Sequence, residues 1–263
     1  MQIILASAKI MNDKLKSVPD VSLSTPRFQN EADAFARDMS QYSAETIAEM
    51  LGCSQQIAVQ NRLRFMQFFD EKPKLPAILA YHGQAYKHLK AETLNVDDLN
   101  YAQGKLWITS FLYGLLRPLD GILPYRMEGY VVIDKVASIV EELPSGAGQN
   151  IFGFWKSRLT DVLIDAVKSD DGILIHLATE EYQHLFDWQR VRKEIRVVQP
   201  LFYVRKGNDL KIQAVWAKTC RGAMTRFIIQ NRITTPDDLA TFTYEGFEYE
   251  PTLGEPDYPH FIK

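Results

Sequence analysis

Apolar residues in this chain fall into two patterns: short unbroken runs, and longer stretches in which they recur every three or four positions. The unbroken runs are Gln2-Ile-Ile-Leu-Ala6, Ala77-Ile-Leu-Ala80, Lys105-Leu-Trp-Ile-Thr-Ser110 and Gly172-Ile-Leu-Ile-His-Leu-Ala178. Runs of this kind suit strands buried on both faces, as in a sheet covered by helices. The periodic stretches predict helices over Asn30–Met39, Ser43–Leu51, Ser54–Phe68, Asp97–Gln103, Asn150–Lys168 and Ala217–Asn231, with Ser43 opening the second. A short helix is expected from Thr179. Strands over Ile195–Val204 and Leu210–Trp216 read as a hairpin across Lys206-Gly-Asn208. A polar loop precedes Gln29, and Pro118, Gly121 and Pro124 make the stretch after Gly114 a shaped loop. The expected fold is α/β: a single compact domain over residues 1–263, with a mixed central β-sheet, flanking helices and a helical insertion at about 43–69 that resembles a helix-hairpin-helix.

Composition narrows this picture. A chain of 263 residues that is 46% hydrophobic can bury a substantial core. No window reaches the roughly 18 apolar residues of a membrane span, and the first residues lack the basic start of a signal peptide, so a cytoplasmic protein is expected. Cys53 and Cys220 stand far apart without CxxC spacing, and the five histidines show no HxxxH or HxxH pairing. Neither a disulfide framework nor a metal site is suggested, and no Gly-rich or nucleophile motif calls for a cofactor.

Charge changes the picture more, because its distribution is uneven. The net charge is only −3, yet Arg205–Arg232 holds seven Lys or Arg against one acid, and Ile233–Lys263 holds seven acids against Lys263. On the predicted last helix, Lys218, Arg221, Thr225 and Arg232 fall within an arc of roughly 60° at 100° per residue. A solvated helix face and an anion site are both compatible with such a stripe. Gly222 inside that helix costs about 1 kcal/mol relative to alanine, which suggests close approach of something.

A second cationic segment is Leu112-Tyr-Gly-Leu-Leu-Arg-Pro-Leu-Asp120 with Pro124-Tyr-Arg126. Arg117 beside Pro118 would present a planar fork to phosphate or carboxylate, with Tyr113 and Tyr125 stacking nearby. Equally, Arg117 could pair with Asp120 in a structural loop whose tyrosines are core. Several predicted strands end in polar groups, at Ser7 and Lys9, His82 and Gly83, Ser110 to Gly114, and Thr179 to Glu181. Ligands of open α/β sheets sit beyond the carboxyl ends of strands, so these ends are candidates to converge. Lys9, Arg117, Arg126, Lys218, Arg221, Arg226 and Arg232 are the candidate DNA- or phosphate-binding residues. Glu181, Tyr113 and Lys9 are the candidate catalytic ones. In the 43–69 insertion, Arg62 and Arg64 supply charge beside a hairpin at Gly52-Cys53 that could offer backbone N–H groups to a DNA phosphate.

Several blocks together resemble the bacterial YaaA peroxide-stress family. They are Ser7-Ala-Lys9, Gly83 with Tyr86, Tyr113-Gly-Leu-Leu-Arg-Pro-Leu-Asp120, Pro124-Tyr-Arg126, Leu177-Ala178 with Glu181-Tyr182, Ala217-Lys218 with Arg221-Gly222, and Arg226-Phe-Ile-Ile229 with Asn231-Arg232. The resemblance covers nearly the whole chain. It implies a compact α/β fold and a cytosolic protein that limits iron-dependent oxidative damage through a basic cleft that binds DNA. The opening departs from the family's Pro-Ala-Lys-Thr-Leu-Asp by reading Ser-Ala-Lys-Ile-Met-Asn12, which keeps Lys9 and loses the acid. The other reading is an enzyme acting on a nucleotide or other phosphorylated small molecule in the same cleft, for which Glu181 should reach Tyr113 or Lys218. Direct iron sequestration would need the acids of the tail.

Overall fold

In a computed structural model, residues 1–15, 20–132 and 150–263 are described. The chain opens with β1 (Gln2–Ala6), as its unbroken apolar run predicts. Helices α1 (Gln29–Met39), α2 (Ala44–Leu51) and α3 (Gln55–Met66) follow. Ser43 and Ser54 cap the latter two by accepting the N–H of Thr46 and Ile57, and Gly52 in the left-handed region ends α2. Next come β2 (Leu75–Pro76), the single turn α4 (Ala77–Ala80), α5 (Gln84–Leu89) and α6 (Val96–Lys105). The run Ala77–Ala80 is therefore helical, against the strand expected for it. Four buried apolar residues carry no periodicity that separates a strand from a buried helical turn.

The middle of the chain supplies β3 (Leu106–Ser110), β4 (Gly114–Leu116), β5 (Gly121–Ile122) and α7 (Ile151–Lys168), the last capped by Asn150. After β6 (Ile173–Leu177), a 3₁₀ turn over Glu180–Leu185 leads to α8 (Trp188–Glu194), which the periodicity did not predict. The expected strand Ile195–Val204 is divided at Gln199-Pro200 into β7 (Arg196–Val198) and β8 (Leu201–Lys206), which belong to different sheets. β8 turns across Gly207-Asn208 into β9 (Asp209–Lys211), so the hairpin forms. α9 (Ala214–Asn231) starts three residues earlier than expected, taking Ala214–Trp216 out of the second strand of that hairpin. The acidic tail is structured as β10 (Glu248–Glu255) and β11 (Tyr258–Ile262).

The central sheet has the order β4-β3-β1-β6-β7. β3, β1, β6 and β7 are parallel, and β4 alone runs antiparallel on the edge. A second sheet, β10-β11-β8-β9, is built from the tail and the basic hairpin. One contiguous hydrophobic core joins them, centred on β1, β3, β6, Phe154, Trp155 and the phenylalanines of the tail sheet. Among the described residues no helix is long and apolar enough to cross a membrane.

This topology fixes where a ligand can go. The chain leaves β1 toward β3 on one side, and leaves β6 toward β7 on the other. Adjacent parallel strands whose connections depart in opposite directions leave a crevice between their carboxyl ends. That crevice lies at Ser7 and Thr179.

Candidate functional site: a cation-lined cleft at the sheet's switch point

The crevice is a cleft of 310 Å³ whose lining includes Ser7, Lys9, Glu181, Tyr182, Lys218 and Arg221. Its inner part is apolar, formed by Leu5, Ala6 and Leu177 from the strand ends with the rings of Tyr86 and Tyr182. Strand-end polar groups are satisfied within it: Tyr86 donates its hydroxyl to the Ala6 carbonyl at 3.0 Å, and the Ser7 and Tyr182 hydroxyls share a hydrogen bond of 3.0 Å. Tyr182 stacks on Phe111, centroids 4.8 Å apart and planes 10° from parallel. Burial pushes the phenols of Tyr86 and Tyr182 well above their usual range, so both stay protonated. Behind them the Tyr125 hydroxyl meets Ser110 at 2.6 Å and Tyr81 at 2.8 Å, and burial raises its pKa to about 12.

One wall is α9, which packs most extensively against α5. The two helices pack tightly at Gly222, where a Cβ would strike the backbone carbonyl of Ala85. The approach anticipated at this glycine is thus made by a neighbouring helix. It brings Gln84–Tyr86 and the pair Lys218 and Arg221, one helical turn apart, to the same cleft.

Arg221 is half-buried, and burial lowers its pKa below the usual guanidinium value. Glu180 pulls the other way without reaching ion-pair distance. Among the described residues its guanidinium has no hydrogen-bond or ion-pair partner. Beneath it His176 of β6 is buried against Trp188, with Nδ1 unpartnered; burial, then the charges of Arg221 and Arg192, lower its pKa to about 3.

The opposite wall holds Lys9, and its position is set by a residue that sequence reasoning did not single out. Glu128, only 1% exposed, accepts from Lys9 Nζ on Oε2 at 2.9 Å and from Arg126 on Oε1 at 3.0 and 3.2 Å. Arg126 is held in turn by Asn61 of α3, whose amide exchanges hydrogen bonds of 2.8 and 2.9 Å with the Arg126 backbone. Helix α3 therefore anchors the loop that carries the clamp. The single signal in the sequence was proximity, Glu128 standing two residues after Arg126.

The remaining candidates lie elsewhere. Arg117 sits at the amino-terminal end of the sheet, stacked 3.2 Å over Trp107 and donating to the Gln2 side chain and the Leu106 carbonyl. The cause is β4: pairing of Ser110 with Gly114 and Ile108 with Leu116 returns the chain along β3, away from the cleft. Gly114, with φ +69° and packed on Trp155, permits that reversal. Asp120 accepts the backbone N–H of Arg117, but among the described residues the Arg117 guanidinium forms no ion pair with it, so only the backbone part of the expected loop pairing is seen. Tyr113 is core, its hydroxyl accepting the Leu123 N–H and its ring against Tyr125 and Phe68. Glu181 makes no hydrogen bond with Tyr113 or Lys218 among the described residues.

Arg226 donates to the carbonyls of Leu89 and Lys90, closing the end of α5. Arg232 leaves the expected stripe because α9 ends at Asn231. In the left-handed conformation (φ 52°) it turns to Asp98 at 2.9 Å and lies over Tyr101. Thr225, placed on the same stripe, is fully buried and bonds back to the Arg221 carbonyl. In the helical hairpin, the N–H groups of Gly52 and Cys53 donate to Ala48 and Glu49 carbonyls, Arg62 donates to the Tyr42 carbonyl, and Arg64 pairs with Asp13. Burial pushes the Cys220 thiol up to about 12, so it stays protonated.

Fold and cleft together define an α/β protein of mixed sheet with a cation-lined cleft at its switch point. Residues 1–253 match the family model described as "Peroxide stress protein YaaA". The chain is 44% identical over 256 residues to a UPF0246 protein of Bacteroides thetaiotaomicron, covering 97% of this chain and 95% of that one. It is 45% identical to a UPF0246 protein of Phocaeicola vulgatus (95% and 94% covered) and 34% identical to one of Cereibacter sphaeroides (93% and 91%). The chain belongs to the YaaA peroxide stress protein family.

Proposed function

We propose that the chain serves peroxide-stress protection, and the limiting of iron-dependent damage that goes with it, by binding a phosphorylated small molecule of nucleotide size in the switch-point cleft. The observation that carries this reading is Arg221. A half-buried guanidinium has five N–H donors to satisfy and loses hydration without recovering it from the chain, a cost that an anionic ligand would offset. Lys218 on the same wall and Lys9 opposite add charge, and the apolar floor would take a ring or sugar face. At 310 Å³ the cleft falls at the small end of ligand sites, roughly 300–1,000 Å³.

Duplex DNA, the other ligand expected from the charge pattern, needs a track of cations along a surface. Arg117, Arg226 and Arg232 are instead engaged within the chain. The test is calorimetry on the full chain with inorganic pyrophosphate and nucleoside mono-, di- and triphosphates, beside gel shifts with duplex, forked and single-stranded DNA. Nucleotide binding that is lost in Arg221→Ala and kept in Arg226→Ala is expected. Saturable, salt-sensitive DNA binding without any nucleotide binding would overturn the reading in favour of DNA.

A further inference from the structure

We infer that the cleft recognises a terminal phosphate monoester and discriminates against phosphodiesters. This rests on the reading of the cleft as a phosphate site and adds which phosphate it takes.

Two cations without a hydrogen-bond or ion-pair partner among the described residues, Lys218 and Arg221, meet at one point of the cleft. Lys218 and Arg221 stand three residues apart on α9, so both side chains converge on one face within a single turn. The cations beside them are engaged: Lys9 and Arg126 share the buried Glu128, Arg226 closes α5, and Arg232 pairs with Asp98. A diester chain passing through would have to place its next phosphates against these engaged cations, whereas a chain end needs only one strong position.

Chemistry points the same way. A phosphate monoester carries about −1.5 to −2 charge at pH 7 and three terminal oxygens, against −1 and two oxygens for a diester. A guanidinium fork with a neighbouring ammonium matches the former, the arginine fixing two oxygens and the lysine acting as a point charge on the third. Glu181 also lines the cleft and, among the described residues, has no hydrogen-bond or ion-pair partner, so it can accept from a sugar hydroxyl of the ligand. The inner floor of Leu5, Ala6 and Leu177 beside the stacked Tyr182 leaves room for the rest of one ligand.

The experiment is calorimetry on the full chain, at fixed salt, with adenosine 5′-monophosphate, adenosine 3′,5′-cyclic monophosphate, adenosine and inorganic phosphate. Short duplexes ending in 5′-phosphate or 5′-hydroxyl form a second arm. The monophosphate is expected to bind at least about tenfold more tightly than the cyclic diester, about 1.4 kcal/mol. Lys218→Ala, at an exposed position, should shrink that ratio, and Arg221→Lys should do so while keeping the charge. Binding only to the 5′-phosphorylated duplex would support the monoester and name a DNA end as its source. Equal affinity for monoester and diester, or a ratio unchanged in both variants, would overturn the inference and leave the phosphate site standing. If none of the phosphate compounds binds, both fall.

Discussion

Replacing Gly222 with alanine sets two effects of opposite sign against each other. Taken as a helix-interior position, glycine to alanine should stabilise by about 1 kcal/mol through backbone entropy. In the folded chain, the added Cβ meets the carbonyl of Ala85, which is backbone and cannot rotate away as a side-chain end would. Relief requires α5 and α9 to part, and overpacking of this kind costs typically about 1–3 kcal/mol, with a rigid backbone contact at the upper end. The expected net is a loss of about 2 kcal/mol, or roughly 4–8 °C in Tm for a chain of this size. The same separation should widen the cleft, since Gln84–Tyr86 and Lys218–Arg221 line it from the two helices. Denaturant unfolding of parent and variant, followed by nucleotide calorimetry, reads both consequences. A variant as stable as the parent, or more so, would refute the reasoning, because helix propensity would then have outweighed the contact.

Three further outcomes follow from the same contacts. Arg221→Ala should leave stability unchanged or raise it by up to about 1 kcal/mol, because among the described residues no group loses a partner, and a drop of about 2 kcal/mol in denaturant melts would show a partner after all. Glu128→Gln should cost about 1–3 kcal/mol, chiefly through the nearly buried Arg126 left without its counter-charge, and should strengthen nucleotide binding, because a negative charge leaves the cleft and Lys9 is freed. The pKa of His176 falls below its unfolded value, so its contribution is complete above pH 6.5 and is lost as pH drops toward about 3; between pH 7 and pH 5 this amounts to about 2 kcal/mol. NMR titration should find its imidazole neutral at pH 5, and a midpoint near 6.5 would contradict the burial argument.

Much of this molecule was legible in local pattern. Strands β1, β3 and β6 announce themselves because residues buried on both faces of a parallel sheet must be apolar at consecutive positions. Helices α1, α2, α3, α7 and α9 follow from one-sided burial and from side chains such as Ser43 and Asn150 that satisfy the first free N–H groups. The convergence of Ser7, Lys9 and Glu181 was also readable, because strand ends are where parallel sheets leave room.

Which cations reach that room was decided elsewhere in the chain. Three residues of antiparallel pairing in β4 carry Arg117 to the far end of the sheet, and the end of α9 at Asn231 turns Arg232 to Asp98. Those outcomes depend on hydrogen bonds between segments distant in sequence, to which local periodicity is blind. Lys9, Lys218 and Arg221 share one cleft, and Arg126 joins it through Glu128, only after β1, α5 and α9 have packed. An arginine's charge belongs to its sequence, whereas the presence or absence of an acceptor beside it is a property of the assembled core.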